Sequence, residues 1–439
     1  MQLSSVVPNQ PDSNNITRES VRSVTWLGIF MCALTAIFYC YEYYLRVAPS
    51  VMSAELKATF LLSDAGFGYL AAFYYYAYTP MQIPVGMLLD RFGPRKVLTV
   101  ACLLCALGTY LFASTPVVGV AAIGRFLVGF GSAFAYVGVL KISDVWLPQK
   151  YFALMAGIAT ALGMLGAIVG TISMSALVAR MGWQSTLYYS VWAGLILTLI
   201  LWIVLRDRNP NQTSIDNGSK QALAPRVNEV LQGLLKMCVN PQMWINGTIG
   251  CLTFLPITAF AELWVVPFLG VVGFSRSDAA LGASMMFLGF ALGGPCWGLL
   301  SNYWKSRRIP LILGSLLAAI FMLILILFPT TSKAWMYSLL FLVTLSASAE
   351  ILVFAVSNDQ NPKEVCATAA AFTNMFTMIG GALLPPIIGT LLDTAIELKE
   401  GLPVYSASDY TLALMAIPVG LVLAAILSFC LRESYHHKS

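Results

Sequence analysis

Gly86-Met-Leu-Leu-Asp90-Arg91-Phe-Gly93-Pro-Arg95-Lys96 is a short basic turn between two long apolar runs, 64–88 and 96–114. Each run reaches the roughly 20 residues that a helix needs to cross a bilayer. Ten more such runs occupy 24–48, 117–140, 152–177, 184–205, 242–268, 279–300, 309–328, 336–357, 367–391 and 410–431. Of the 439 residues 58% are hydrophobic and only 10% charged, with mean hydropathy +0.78, whereas a soluble domain carries roughly 25% charged residues. So few charges do not cover a globular surface of this size, so a soluble protein is excluded.

Outward from the turn, the longest interruption is 206–241. It is polar from Arg206 to Arg226 and ends in a stretch reading as a surface helix, with Val227, Val230, Leu231, Leu234 and Leu235 on one side. The expected fold class is an all-α membrane protein of twelve transmembrane helices in two six-helix pseudo-repeat bundles. The expected boundaries are a tail over 1–23, bundles over 24–205 and 242–431, a central loop over 206–241 and a tail over 432–439. The polar first 22 residues precede an apolar run too long for a signal-peptide core and lacking a cleavage pattern, so the first span is read as retained.

Charge placement supports the count. With both termini cytoplasmic, inside segments hold 18 Lys and Arg (Arg18, Arg22, Arg91, Arg95, Lys96, Lys141, Lys150, Arg206, Arg208, Lys220, Arg226, Lys236, Lys305, Arg307, Arg308, Lys363, Arg432, Lys438), and outside segments hold 5. A wrong span count would scramble this asymmetry. It also accounts for the net charge of +5 without nucleic acid as a partner. The 9 cysteines sit mostly inside apolar runs; Cys102 and Cys105 form a CxxC without a second pair or a nearby His, and both histidines, His436 and His437, lie in the tail. Packing, not metal or redox chemistry, is the expected role of these thiols.

The basic turn has a copy. Gly298-Leu-Leu-Ser-Asn302-Tyr-Trp-Lys305-Ser-Arg307-Arg308 follows the eighth run in the same register, and Met164-Leu-Gly166 is echoed by Met378-Ile-Gly380. Two parallel six-helix repeats with a mid-membrane site between them are a recurring transporter plan. At this point the chain resembles the major facilitator superfamily: Gly86, Asp90, Arg91, Gly93, Arg95 and Lys96 match its signature loop, and Gly124-Arg125-Phe-Leu-Val-Gly129 its fourth-helix arginine motif. The resemblance runs over about 24–431. The fifth run lacks the Gly-Pro element of the family's drug/proton antiporters. From the residues, Gly86 lets helices approach closely, and Asp90 accepts from a basic loop residue or a helix N-terminus. The turn thus reads as a conformational latch.

Ionisable groups inside spans are expensive and mark function. Glu42 and Arg46 share a face of the first span with Tyr39 and Tyr43 adjoining, Arg46 lying about 30 Å from the helix entry near Trp26 at 1.5 Å per residue. Tyr75, Tyr78, Thr79 and Gln82 share a face of the second span, where a polar cavity is expected. Arg125 stays charged and must face Glu42, a solute anion or backbone carbonyls. Expected solute contacts are Arg46, Arg125, Tyr43, Tyr75, Tyr78, Gln82 and Asn374; expected proton carriers are Glu350 and Glu42. Glu262, some twenty residues into the seventh span, reads as an outer-gate or boundary residue, and Lys141 and Asp144 as boundary charges.

These readings point to alternating-access transport of a small polar, carboxylate-bearing solute (amino acid, small peptide or organic anion) by proton-coupled symport. A drug/proton antiporter or a non-transporting sensor on the same fold remain alternatives. No catalytic cluster, metal-ligand set or nucleotide-binding loop is found, so no enzyme, cofactor or metal is expected. The expected partners are the solute, the proton and the bilayer. The expected state is a monomer in a bacterial inner membrane, with both termini cytoplasmic.

Overall fold

Side-chain caps start the helices where the apolar runs begin. Thr25 accepts from Gly28 N at 3.1 Å, Ser63 from Gly66 N at 3.2 Å, Asn240 from Gln242 N at 3.0 Å and Ser275 from Asp278 N at 3.2 Å. Ser406 and Asp409 form a reciprocal capping box. The computed structural model describes residues 25–148, 151–207, 227–362, 365–395, 397–399, 402–404 and 406–435. Among the cations used to orient the chain, Arg18, Arg22, Lys150, Arg208, Lys220, Arg226, Lys363 and Lys438 lie outside these residues, as do His436 and His437.

Among the described residues, 11 helices are long and apolar enough to cross a membrane. They are Trp26–Val51, Pro94–Ser114, Val118–Trp146, Leu154–Met181, Trp183–Val204, Pro241–Val272, Arg276–Trp304, Arg308–Leu327, Lys333–Asp359, Cys366–Thr394 and Ala407–Cys430. The twelfth is split into Asp64–Met81 and Val85–Phe92, because Pro84 cannot donate within the ladder. In chain order these are spans 1 to 12, Asp64–Phe92 being span 2. A short antiparallel hairpin, Glu397–Lys399 with Leu402–Val404, joins spans 11 and 12.

Span pairings repeat six spans later. Span 1 packs on span 5 as 7 does on 11, 3 on 6 as 9 on 12, 2 on 4 as 8 on 10, and 3 on 4 as 9 on 10. The turn and its copy also close alike. Asp207, after span 6, accepts from Arg95 N at the start of span 3 at 2.7 Å. Glu433, after span 12, accepts from Arg307 N at 2.8 Å at the start of span 9. Gly93 is required here: its φ is +81°, and a Cβ would stand 2.9 Å from the Asp207 carboxyl.

The halves meet chiefly through span 2 against 11 and span 5 against 8. Near Asp64 the contact is closed. A Cβ on Gly389 would stand 2.2 Å from Asp64 O, and one on Gly68 2.4 Å from Pro385 O. The Asp393 carboxylate accepts from Asp64 N at 2.9 Å and Ala65 N at 3.0 Å, capping span 2 from the other half. Arg276 pairs with Glu55 across the same end. At the Asp90 end the expected close approach at Gly86 is not made: no atom lies within 4 Å of a Cβ built there, nor at Gly157 or Gly298. Close approach between the halves has moved to glycines 68 and 389, because the chain stands with its Asp64 end shut.

The helix Val227–Val239 forms as expected, but its packed side is Gly233, Leu234 and Met237, set against Thr368 and Phe372 of span 11. Leu231 and Leu235 are exposed; the side chains of Val227 and Val230 lie outside the description.

Candidate functional site

The four spans that carry Arg46, Arg125, Glu262 and Glu350 are each locally irregular. Span 1 turns at Val47, span 4 at Ala133-Phe134, span 7 is a π-helix over Pro256–Trp264, and span 10 is a 3-10 helix over Ser348–Ile351. Such irregularities free backbone groups and re-aim side chains, which is why they gather at functional sites. Pro49 illustrates this. Having no N–H, it leaves Leu45 O without its helical donor, and Arg125 Nη1 of span 4 takes that oxygen at 3.2 Å.

Arg46 is the centre of the cluster and is 2% exposed. Two bonds hold it to Glu42 one turn away, Nη2 to Oε1 at 2.8 Å and Nε to Oε2 at 3.3 Å. Tyr74 donates to the same carboxylate at 3.0 Å. The guanidinium lies 4.1, 5.1 and 4.9 Å from the ring centroids of Tyr43, Tyr74 and Tyr78, a three-sided aromatic cage. Its remaining edge faces the other half: Nη1 stands 3.6 Å from Glu262 Oε1. Neither facing atom has a hydrogen-bond partner, while Tyr75 donates to the other Glu262 oxygen.

Arg125 completes the group. Its guanidinium lies 5.2 Å from the Tyr74 ring, is buried, and leaves Nε unpartnered. The cluster therefore balances two carboxylates, Glu42 and Glu262, against two guanidiniums. A small cavity between the halves is lined by Arg46, Tyr75, Arg125, Thr258, Glu262 and Gly381, among others. Its volume, about 10 Å³, is on the order of what one water needs. A solute enters only if these side chains part.

The structure brings Glu42, Arg46, Tyr43, Tyr75, Tyr78 and Arg125 into one cluster. Nearer the Asp90 end, Asn374 Nδ2 donates to Gln82 Oε1 at 2.6 Å, joining spans 11 and 2. Glu350 stands apart in the second half, 4% exposed, with Oε1 unpartnered and its side chain against Thr377. None of the described ion pairs includes it. The signature turn is at the far end. Asp90 pairs with Lys141 of span 4 at 2.5 Å, within the same half, so Lys141 is a partner and not merely a boundary charge. Arg95 donates to Trp202 O at 2.8 Å, and Arg91 and Lys96 are exposed.

Glu262 reads from sequence as an outer-gate or boundary residue; the structure holds it 4% exposed, in the cluster's centre. Its depth, shared with Arg46, was legible by counting; its burial comes from the closed Asp64 end, which counting does not see. Tyr74, four residues before Tyr78 and therefore on its face, is not singled out from sequence; it stacks on Tyr78 with centroids 5.5 Å apart and binds Glu42. The available signal was the lone carboxylate of span 1, which requires donors.

The chain is similar to known transporters. The family model described as Major Facilitator Superfamily matches residues 24–385. The probable galactarate/D-glucarate transporter GudP of Escherichia coli is 24% identical over 399 residues, covering 84% of this chain and 87% of that protein. The probable galactarate/D-glucarate transporter GarP of the same organism is 26% identical over 418 residues, covering 87% and 91%. Among solved structures, a bacterial homologue of the human lysosomal transporter Spinster superposes with TM-score 0.74 at 17% identity, covering 93% of this chain and 98% of that one. The twelve spans, their six-span repeat and the match over most of the length make this multi-pass membrane chain a member of the major facilitator superfamily.

Proposed function

We propose that the chain is a proton-coupled symporter of a small carboxylate-bearing solute, working as a monomer by alternating access. The halves over 24–205 and 242–431 rock about the Arg46 cluster. The Asp90 end with both termini is cytoplasmic in a bacterial inner membrane, so the structure reads as outward-closed. The observation that carries the reading is Arg125: a buried guanidinium on the inter-half cavity, bound to one backbone carbonyl and with Nε open. A planar donor fork without a carboxylate partner is suited to receive one from a solute. Names of the relatives favour sugar diacids, while amino acids and small peptides share the same carboxylate.

Glu42 is matched by Arg46 and Tyr74 and serves as a fixed counter-ion. Glu350, buried beside no described cation partner, is the better proton carrier. Gln82 and Asn374 form a polar bridge beneath the cavity, and Asp90 and Gly86 act as the latch when the Asp90 end closes.

Uptake by proteoliposomes tests this, using galactarate, D-glucarate, amino acids, dipeptides and sugars with and without a pH gradient. A carboxylate is expected to be the accumulated solute. Glu350→Gln is expected to keep solute exchange and lose gradient-driven accumulation. Uptake of neutral sugars alone, or undiminished accumulation in Glu350→Gln, would overturn the reading or its proton site respectively.

A further inference from the structure

Arg46 has two carboxylate partners of different character. Glu42 is on its own helix, fixed by two hydrogen bonds and supported by Tyr74. Glu262 comes from the other half, on a π-helical turn, and approaches only to 3.6 Å, with Arg46 Nη1 and Glu262 Oε1 both lacking a hydrogen-bond partner. The first pair is a fixed unit, and the second is an exchangeable one. We propose that Glu262 is a tethered carboxylate occupying the anion-binding edge of Arg46 in the unloaded chain, and that a solute carboxylate displaces it as Glu262 takes up a proton. The proposal rests on the carboxylate reading of the same cavity and adds the residue that links binding to protonation.

Charge makes the exchange a linked event. The cluster is balanced when empty, so an entering carboxylate adds one negative charge among charged side chains no more than 4% exposed. Glu262 faces Arg46, Glu42 and Tyr43 of span 1, Tyr75 and Tyr78 of span 2, and Arg125 of span 4. Glu42 remains bound to Arg46, and the tyrosines are neutral donors. Displaced Glu262 is thus the one carboxylate of the cluster that loses its cation. A proton from solution forms an O–H on it, and that group donates to the Tyr75 hydroxyl, which had been donating to it. Because the Arg46–Glu262 pair spans the halves, its exchange also removes one tie between spans 1 and 7.

Acetate is a probe that does not depend on the native solute. The full-length protein is purified in lipid nanodiscs, and its thermal midpoint is followed against acetate above the acid's own ionisation range. In the wild type, acetate affinity is expected to rise by up to about tenfold for each unit fall in pH, the limit for one linked proton. Glu262→Ala is expected to bind acetate about tenfold or more tightly than the wild type at the upper end of the pH range, with little pH dependence. Adding Arg46→Gln should abolish that response. Glu262→Gln serves if the alanine variant does not fold, since it keeps the shape and removes the charge. Equal acetate affinity and slope in wild type and Glu262 variants, no acetate response in any of them, or a response that survives Arg46→Gln overturns the proposal. If the acetate pattern holds while the uptake panel yields no carboxylate, Glu262 keeps its role and the transport reading falls.

Discussion

Removing the Asp393 carboxylate should open the Asp64 end. In the closed form it accepts from Asp64 N at 2.9 Å and Ala65 N at 3.0 Å, at the N-terminus of span 2, from span 11 in the other half. A helix N-terminus carries unpaired N–H groups and partial positive charge, and loss of a capping carboxylate costs about 0.5–2 kcal/mol. With two bonds at a half-buried site, Asp393→Ala should sit near the upper figure. A bias of about 2 kcal/mol changes the closed-to-open ratio about 30-fold. Opening breaks these bonds, whereas folding of the second half does not depend on them, so the effect should fall on the conformational ratio more than on expression. Spin labels at Leu61→Cys and Thr331→Cys, on a background with the exposed Cys238, Cys296 and Cys430 replaced by Ser, report the distance across this end. Asp393→Ala should enlarge the longer-distance population. Asp278→Ala, which breaks a pair with Lys333 inside the second half, should not. Identical distance distributions in wild type and Asp393→Ala would refute the reasoning, because the cap would then contribute nothing to closure.

Asp90→Asn should act in the opposite sense, slowing transport and favouring the Asp64-closed form while solute binding persists; the double variant with Asp393→Ala should recover part of the distance distribution. Among the described ion pairs Asp90 has a partner in its own half, Lys141, with side chains 25% and 35% exposed respectively. Breaking that pair should therefore shift the thermal midpoint by no more than about 1 kcal/mol allows. Arg125→Ala should abolish carboxylate uptake and Arg125→Lys restore only part of it, since Lys keeps the charge but not the planar fork; near-normal uptake in Arg125→Ala counts against the site. Burial raises the Glu433 carboxyl, but hydrogen bonds from Arg307 N, Ser306 and Tyr435 N outweigh it and hold the carboxyl below its usual range. Its stabilising contribution is then complete above the unfolded carboxyl range and fades as pH falls through the lowered folded value. The midpoint difference between wild type and Glu433→Ala, about 1 kcal/mol at neutral pH, should shrink below about pH 4.

Sequence by itself determined the spans, the six-span repeat and the identity of the signature turn. Apolar run length and Lys/Arg asymmetry are local properties of a chain in a bilayer, and no packing detail is needed to read them. It also gave the Glu42–Arg46 pair, because residues four apart on a helix share a face whatever surrounds them. Contacts between halves were another matter. Tyr75 meets Glu262 across 187 positions, Asn374 meets Gln82 across 292, and Asp393 caps span 2 across 329. Helical periodicity says which residues share a face but not which helix that face meets. Glu262 shows the consequence: counting residues gave its depth, and only the closure of spans 2 and 11 over that depth turned a boundary carboxylate into a buried partner of Arg46. Asp90 shows the converse, since the partner the structure gives it, Lys141, lies within its own half. Tertiary structure decided both, because which helix a given face meets depends on how the two halves pack and not on local sequence.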